Sequence, residues 1–194
     1  MSDIFRNFAD RLLKPLTVYK DSAQLYGRIE VSVYDEAKGG KRIYHVKKQN
    51  QIVNTGRQAV LEMLTQYPTG SPGQQNPEYN AIGFLGVGTD GTPPTVNQTA
   101  LGADVLTKQL VPPGQVLYVP APTFEIHCTM TFSTTEANDP SPLQEVGLFT
   151  RGDNASDFYT SANTLMYARQ TFSPFVKTST MTVVFNWYLG MTVA

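Results

Sequence analysis

The chain has 194 residues, enough for one β-rich domain with a genuine core and a short appendage. Apolar residues are 41% and charged residues 16%, against roughly 25% charged in typical soluble domains. The net charge of −1 excludes a global pull toward nucleic acid or an anionic membrane, and no segment approaches the ~18 apolar residues of a membrane span.

The charge is uneven. Residues 1–57 hold 11 Lys/Arg against 6 Asp/Glu, and residues 58–194 hold 4 against 10. Solvated loops account for this, or a basic end of one copy meets an acidic face of another. The single cysteine, Cys128, excludes an intrachain disulfide and reads as a small buried hydrophobe. Charges interrupt the N-terminal apolar residues, which argues against a signal peptide and for synthesis in a cytoplasm.

Residues 3–14 read as a short amphipathic helix. Ile4, Phe8 and Leu12 recur every fourth residue, Phe5 and Leu13 flank them, and Pro15 ends the run. A helix this short is marginal alone and has to dock, on its own domain or on another subunit. Residues 27–34 alternate with Ile29, Val31 and Val33 inward, 35–41 turn on glycines suited to positive φ, and 42–48 return, making a hairpin.

A helix is expected over 55–66. Thr55 and Gln58 fit a capping box, and Val60, Leu61 and Leu64 give the apolar stripe. Residues 67–79 and 89–103 read as loops, 81–87 as a strand, and 105–111 and 115–119 as two more strands. From 124 to 132, Phe124, Ile126, Cys128, Met130 and Phe132 share one face, opposite Glu125, His127, Thr129 and Thr131. Strands are also expected over 145–149, 165–169 and 180–189, the last with Met181, Val183, Phe185 and Trp187 on one face. The expected fold is mostly β: an antiparallel β-sandwich of seven to nine strands with one packed α-helix and an N-terminal helical arm. The arm occupies 1–25 and the sandwich domain 26–194.

Five patterns invite a chemical reading. Gly86-Val-Gly-Thr-Asp-Gly91 matches a dinucleotide fingerprint, but Pro93 and Pro94 stand where its helix would begin. Arg151-Gly-Asp153 is an adhesion tripeptide in a turn where Gly-Asp is ordinary. His45 and His127 have no metal or triad spacing around them, and His127 reads as exposed or hydrogen-bonded across strands. Glu136, Asp139 and Glu145 are too close to Pro140 and Pro142 to suggest more than a loop and a strand start. Tyr44 with Lys47 and Lys48 is a weak basic-aromatic patch. Neither catalysis nor a cofactor or metal is expected; the function is carried by surfaces, and the chain is not an enzyme.

Four stretches in order resemble small virion structural proteins of tailed bacteriophages. They are 50–64, 86–101, Glu145-Val-Gly-Leu-Phe149, and 165–179 leading into the last strand. The Glu-Val-Gly-Leu-Phe turn and the approach to the last strand are similar to the N-terminal collar region of phage tail fibres. The long shaft and receptor-binding tip of a full fibre are lacking.

The resemblance implies a β-sandwich repeated about a symmetry axis, located in the virion. It implies an adaptor, collar or baseplate subunit of the tail or neck that joins copies of itself and other virion proteins. Alternatives are a capsid decoration, cement or head-fibre protein, or a host receptor- or glycan-binding module using Tyr67, Tyr79 and Tyr118. No nucleic acid, membrane or small-molecule partner is expected. Expected contact residues are Ile4, Phe5, Phe8 and Leu12 on the arm, and Tyr67, Tyr79, Asp90, Arg151 and Asp153 on loops. Locally, Glu145 is expected to accept hydrogen bonds at a strand edge and Gly147 to allow a bulge or close contact. Arg169 is expected to reach a carboxylate within the sandwich, and Lys177 to be a solvated charge.

Overall fold

The computed structural model describes residues 23–65, 80–111, 114–120, 124–153, 157–159 and 164–193. The arm, with Ile4, Phe5, Phe8 and Leu12, and the loop carrying Tyr67 and Tyr79 lie outside these residues.

Two five-stranded antiparallel sheets form the domain. In chain order the strands are Ala23–Asp35 (β1), Lys41–Gln49 (β2), Gln51–Ile52 (β3), Ile82–Gly88 (β4) and Asp104–Gln109 (β5). Then come Val116–Val119 (β6), Glu125–Phe132 (β7), Leu143–Thr150 (β8), Met166–Phe175 (β9) and Met181–Val193 (β10). One α-helix, Asn54–Thr65 (α1), joins them among the described residues, besides a 3-10 turn at Glu36–Lys38. The first sheet runs β2-β1-β10-β7-β6 and the second β3-β9-β8-β4-β5. The tenth strand beyond the expected range is β3, whose two residues are too few to leave a periodic pattern.

The first sheet follows its alternation closely. β1 and β10 pair from Ala23↔Val193 to Asp35↔Met181. Ile29, Val31, Val33, Phe185, Trp187 and Cys128 all lie in the core, at 1% exposure or less. Gly39 and Gly40 take φ of 68° and 72° in the β1–β2 turn, where a side chain would be strained. Lys41, Arg42, Lys47 and Lys48 line β2, the exposed edge of this sheet, and their charge discourages further strand pairing. Phe124 departs from the expectation. It precedes β7 with φ 47° and is 52% exposed, so the inward face begins at Ile126.

The second sheet is covered on both faces. β4 and β8 are buried almost continuously, which is why Glu145–Phe149 does not alternate. Leu85, Val87, Val146 and Leu148 meet the first sheet, while Phe84, Phe149 and Met166 belong to a separate cluster with Leu101 and Phe158 packed on it. The register skips Tyr167 between Leu148↔Ala168 and Phe149↔Met166, and this bulge leaves Tyr167 in the main core.

The helix packs on β9 by a stripe other than the one expected. Gly56 and Ala59 are buried and Val60 packs against the core, whereas Leu61 is 62% exposed. A side chain at 56 would run into the Tyr167 carbonyl, so glycine there sets how close the helix sits. The Thr55 hydroxyl donates to the Met166 carbonyl at 2.7 Å, fixing the helix start to β9.

Candidate interaction surfaces

Residues 89–103 form a loop over the outer face of the second sheet, and two buried charges hold it there. Glu145 on β8 and Arg169 on β9 are both 0% exposed, with Arg169 Nε donating to Glu145 Oε2 at 2.8 Å. Glu145 also accepts three loop amides: Asp90 at 3.1 Å, Ala103 at 2.8 Å and Gly102 at 3.0 Å. Arg169 donates further to the Thr92 carbonyl, to Gln98 Oε1 and to Asp90 Oδ2. The loop thus satisfies the desolvated charges, and the charges fix the loop.

Glycine makes this cover possible. Gly86 pairs with Gly147 across β4 and β8, and a Cβ on either would crowd the Leu101 side chain, at 3.1 and 3.0 Å. Leu101 therefore sits on a bare patch of backbone. Glycines 86, 88 and 91 serve this packing and the close approach of the loop, not a phosphate. The far side of the loop is tied to α1, where Asn54 N donates to the Val96 carbonyl at 2.7 Å and its side chain to Asn97 at 3.0 Å.

The outer face of the first sheet carries a polar-aromatic cluster. Tyr26, Gly190 and Glu125 lie in one cross-strand row. The absent side chain of Gly190 lets the Tyr26 hydroxyl reach over β10 and donate to Glu125 Oε1 at 2.6 Å. That bond, more than the nearby His127 and Arg28, holds the Glu125 carboxyl below its usual pKa. In the next row the Arg28 guanidinium lies 4.1 Å from the Tyr188 ring centre, and His127 packs edge-on against the same ring. His127 Nε2 is 2.8 Å from Glu125 Oε2, so this histidine is a half-buried, hydrogen-bonded strand residue.

Two further polar sites are structural or open. Lys177, expected as a solvated charge, is 2% exposed and donates to the Ser133 carbonyl and Asn138 Oδ1 at 2.7 and 2.9 Å. Burial lowers its pKa, and its role is to hold the 133–138 turn. A cavity of about 260 Å³ lies between Leu101, Asp104, Thr107, Phe149 and Phe158. At its side, the Tyr159 and Thr107 hydroxyls each donate to Asp104 at 3.0 Å, and crowding by protein raises the Asp104 pKa.

Of the residues expected to make contacts, Asp90 belongs to the loop clamp and is an internal partner of Arg169. Arg151 and Asp153 leave β8 together. Arg151 crosses Gly83, lines a second cavity and donates its amide to Ala81, while Asp153 is exposed. Glu145 accepts hydrogen bonds as expected, but from loop amides over β8, an inner strand. Arg169 finds a carboxylate as expected, but on the outer face of its sheet and not between the sheets. Glu136 is committed to Lys108 and the Ser133 amide. Among the described residues no group of three or more His, Cys, Asp or Glu is placed to hold a metal. Sequence reasoning missed Gln98, Gly102 and the Tyr26–Gly190–Glu125 row. The signal for the last lay in register, which places a glycine between two polar residues.

Comparison with protein-family models, with curated proteins and with solved structures finds no match to this chain.

Proposed function

We propose that this chain is a non-enzymatic structural subunit of a tailed-phage virion, assembling with copies of itself and with neighbouring virion proteins in the tail or neck. One observation carries the reading. The four separate stretches that resemble virion proteins converge on one construction, the clamped loop. The 86–101 stretch supplies the loop, Glu145 and Arg169 supply its anchors, and Asn54 ties its far side. Long loops held rigid on a scaffold are favoured binding elements, because little ordering cost remains on association. Pro93, Thr95, Val96 and Asn97 are presented at its outer side, with Val96 38% exposed.

The test is Val96→Asp, which alters the presented surface and leaves the clamp intact. The variant is expected to fold with unchanged thermal stability and to be depleted from particles when it complements their own missing chain. Normal incorporation refutes the loop as a contact. A purified chain that stays monomeric and co-purifies with no particle argues against the virion reading as a whole. The second reading is a glycan-binding module at the particle surface. The cavity beside Asp104 favours it, since Phe158 offers a ring face next to a carboxylate and threonine hydroxyls. Binding in a glycan array, lost in Asp104→Asn, distinguishes it.

A further inference from the structure

Among the described residues the sandwich is open at the end where β1 enters. There the inner face of the first sheet runs along the row Tyr118–Ile126–Leu189–Gly27 and past it to the pair Leu25↔Met191. These positions continue the core face by parity, yet Tyr118 is 61% and Met191 55% exposed. Phe124, beside them, is 52% exposed. A cavity of about 260 Å³ opens between this strip and the second sheet, walled by Val116, Ile126, Ile82, Tyr167 and Met63, with Arg151 at its wall. An apolar face left exposed at one end of a sandwich calls for an occupant.

We infer that residues 4–13 of the same chain dock on this open end. The arm precedes Ala23, and Ala23 pairs with Val193 two residues beyond the Leu25↔Met191 pair. The occupant therefore leaves the domain at the rim of the site it fills. Ile4, Phe5, Phe8, Leu12 and Leu13 give it one apolar stripe. The residues between Leu13 and Ala23 span up to roughly 30 Å when extended, which is ample to fold back. A tether this short holds its segment at an effective concentration of order millimolar, so docking within one chain outcompetes docking on a second copy at micromolar protein. Of the other segments outside the described residues, 66–79 offers only Tyr67 and Tyr79 as large apolar side chains among glycines and prolines, and 112–113 and 121–123 hold only Pro, Ala and Thr. This inference is independent of the virion reading.

The experiment places one cysteine on the arm and one on the strip, Phe8→Cys with Met191→Cys, in the full chain; Cys128 is buried and does not compete. Mild oxidation at low micromolar concentration is expected to give a cross-linked monomer. Slow cross-linking, no faster than in a control pairing Phe8→Cys with exposed Ser173→Cys, overturns the proposal. A cross-linked dimer overturns it in favour of a second copy. A second measurement uses Ile4→Ser/Phe8→Ser/Leu12→Ser, which leaves the described domain untouched. It is expected to speed amide exchange at Leu117–Val119 and Ile126 at least tenfold. Exchange that is unchanged there, but quickened by Tyr67→Ser/Tyr79→Ser, refutes the arm as occupant.

Discussion

The clamp makes a quantitative prediction through Glu145→Gln. Each carboxylate oxygen of Glu145 accepts two donors: Oε1 from the Asp90 and Ala103 amides, and Oε2 from the Gly102 amide and Arg169 Nε. A glutamine keeps the shape but turns one of those oxygens into an NH2 group. In either orientation two donors then face a donor, with no water to relieve them at 0% exposure. Arg169 also loses its fully buried counter-charge and keeps only Asp90, which is 27% exposed. Removing one member of a buried ion pair costs about 3–5 kcal/mol, because the survivor stays desolvated. That is a large part of the roughly 5–15 kcal/mol that holds a typical domain together.

Urea unfolding read by the single tryptophan measures this, since Trp187 lies at 0% exposure in the core. The midpoint is expected to fall with little change in slope, and the melting temperature to drop by about 6–20 °C for a chain of this size. The double variant Glu145→Leu/Arg169→Leu removes both charges. It is expected to cost at least ~1 kcal/mol less than the two single leucine variants added together, because neither charge is left stranded. A loss under about 1 kcal/mol in Glu145→Gln, or strict additivity in the double variant, refutes the clamp as the device that fixes the loop.

Three further outcomes are expected. Gly56→Ala, normally worth up to ~1 kcal/mol in favour of a helix, is expected to destabilise by about 2 kcal/mol, because its methyl meets the Tyr167 carbonyl; a stabilised variant in urea unfolding contradicts the packing of α1. Tyr26→Phe is expected to cost about 1 kcal/mol near neutral pH. The folded Glu125 carboxyl titrates below 4.5, so its contribution is present above that value and is lost as pH falls through the lowered folded value. The gap between wild type and Tyr26→Phe should therefore narrow in unfolding experiments at about pH 3, and a gap that widens there reverses the assignment. Burial pushes the Cys128 thiol up to about 12, so the native protein should resist iodoacetamide at about pH 8 and react on unfolding; rapid native labelling would show that the face is open.

The first sheet was legible in the sequence because one of its faces meets water, so every second residue of β1, β7 and β10 reports its orientation. The second sheet was legible only as segments. With both faces covered, β4 and β8 lose their alternation, and Gly86 and Gly147 read as weak strand residues until Leu101 is seen lying on them. The helix stripe was displaced for a related reason: Gly56 looks like a poor helix residue, yet it is the point of closest approach. Lys177 reads as solvated because nothing local in the sequence distinguishes a lysine anchored to the carbonyl of Ser133 from one in solvent. Asp90 reads in sequence as a loop residue facing outward, and the structure adds an internal partner, Arg169.

These internal commitments change what the charge asymmetry means. Of the four cations after residue 57, Arg169 and Lys177 are buried and Lys108 is 2.8 Å from Glu136. The positive charge of this part of the chain is therefore largely spent on fastening two loops, but buried Glu145 and Glu125 and paired Glu136 are withdrawn with it, so the acidic balance of this part is unchanged. The cations of β2 stay outside: Lys41, Arg42, Lys47 and Lys48 are all exposed on a free edge, at the opposite border of the first sheet from β6. Charge is thus sorted along the sequence, basic on the β2 edge and acidic after residue 57. If copies associate, this arrangement favours contacts that join unlike surfaces over contacts that join like ones, as in a ring. Such contacts weaken as salt shortens the reach of charge to about 3 Å at 1 M, whereas the buried clamp and the apolar end do not share that dependence.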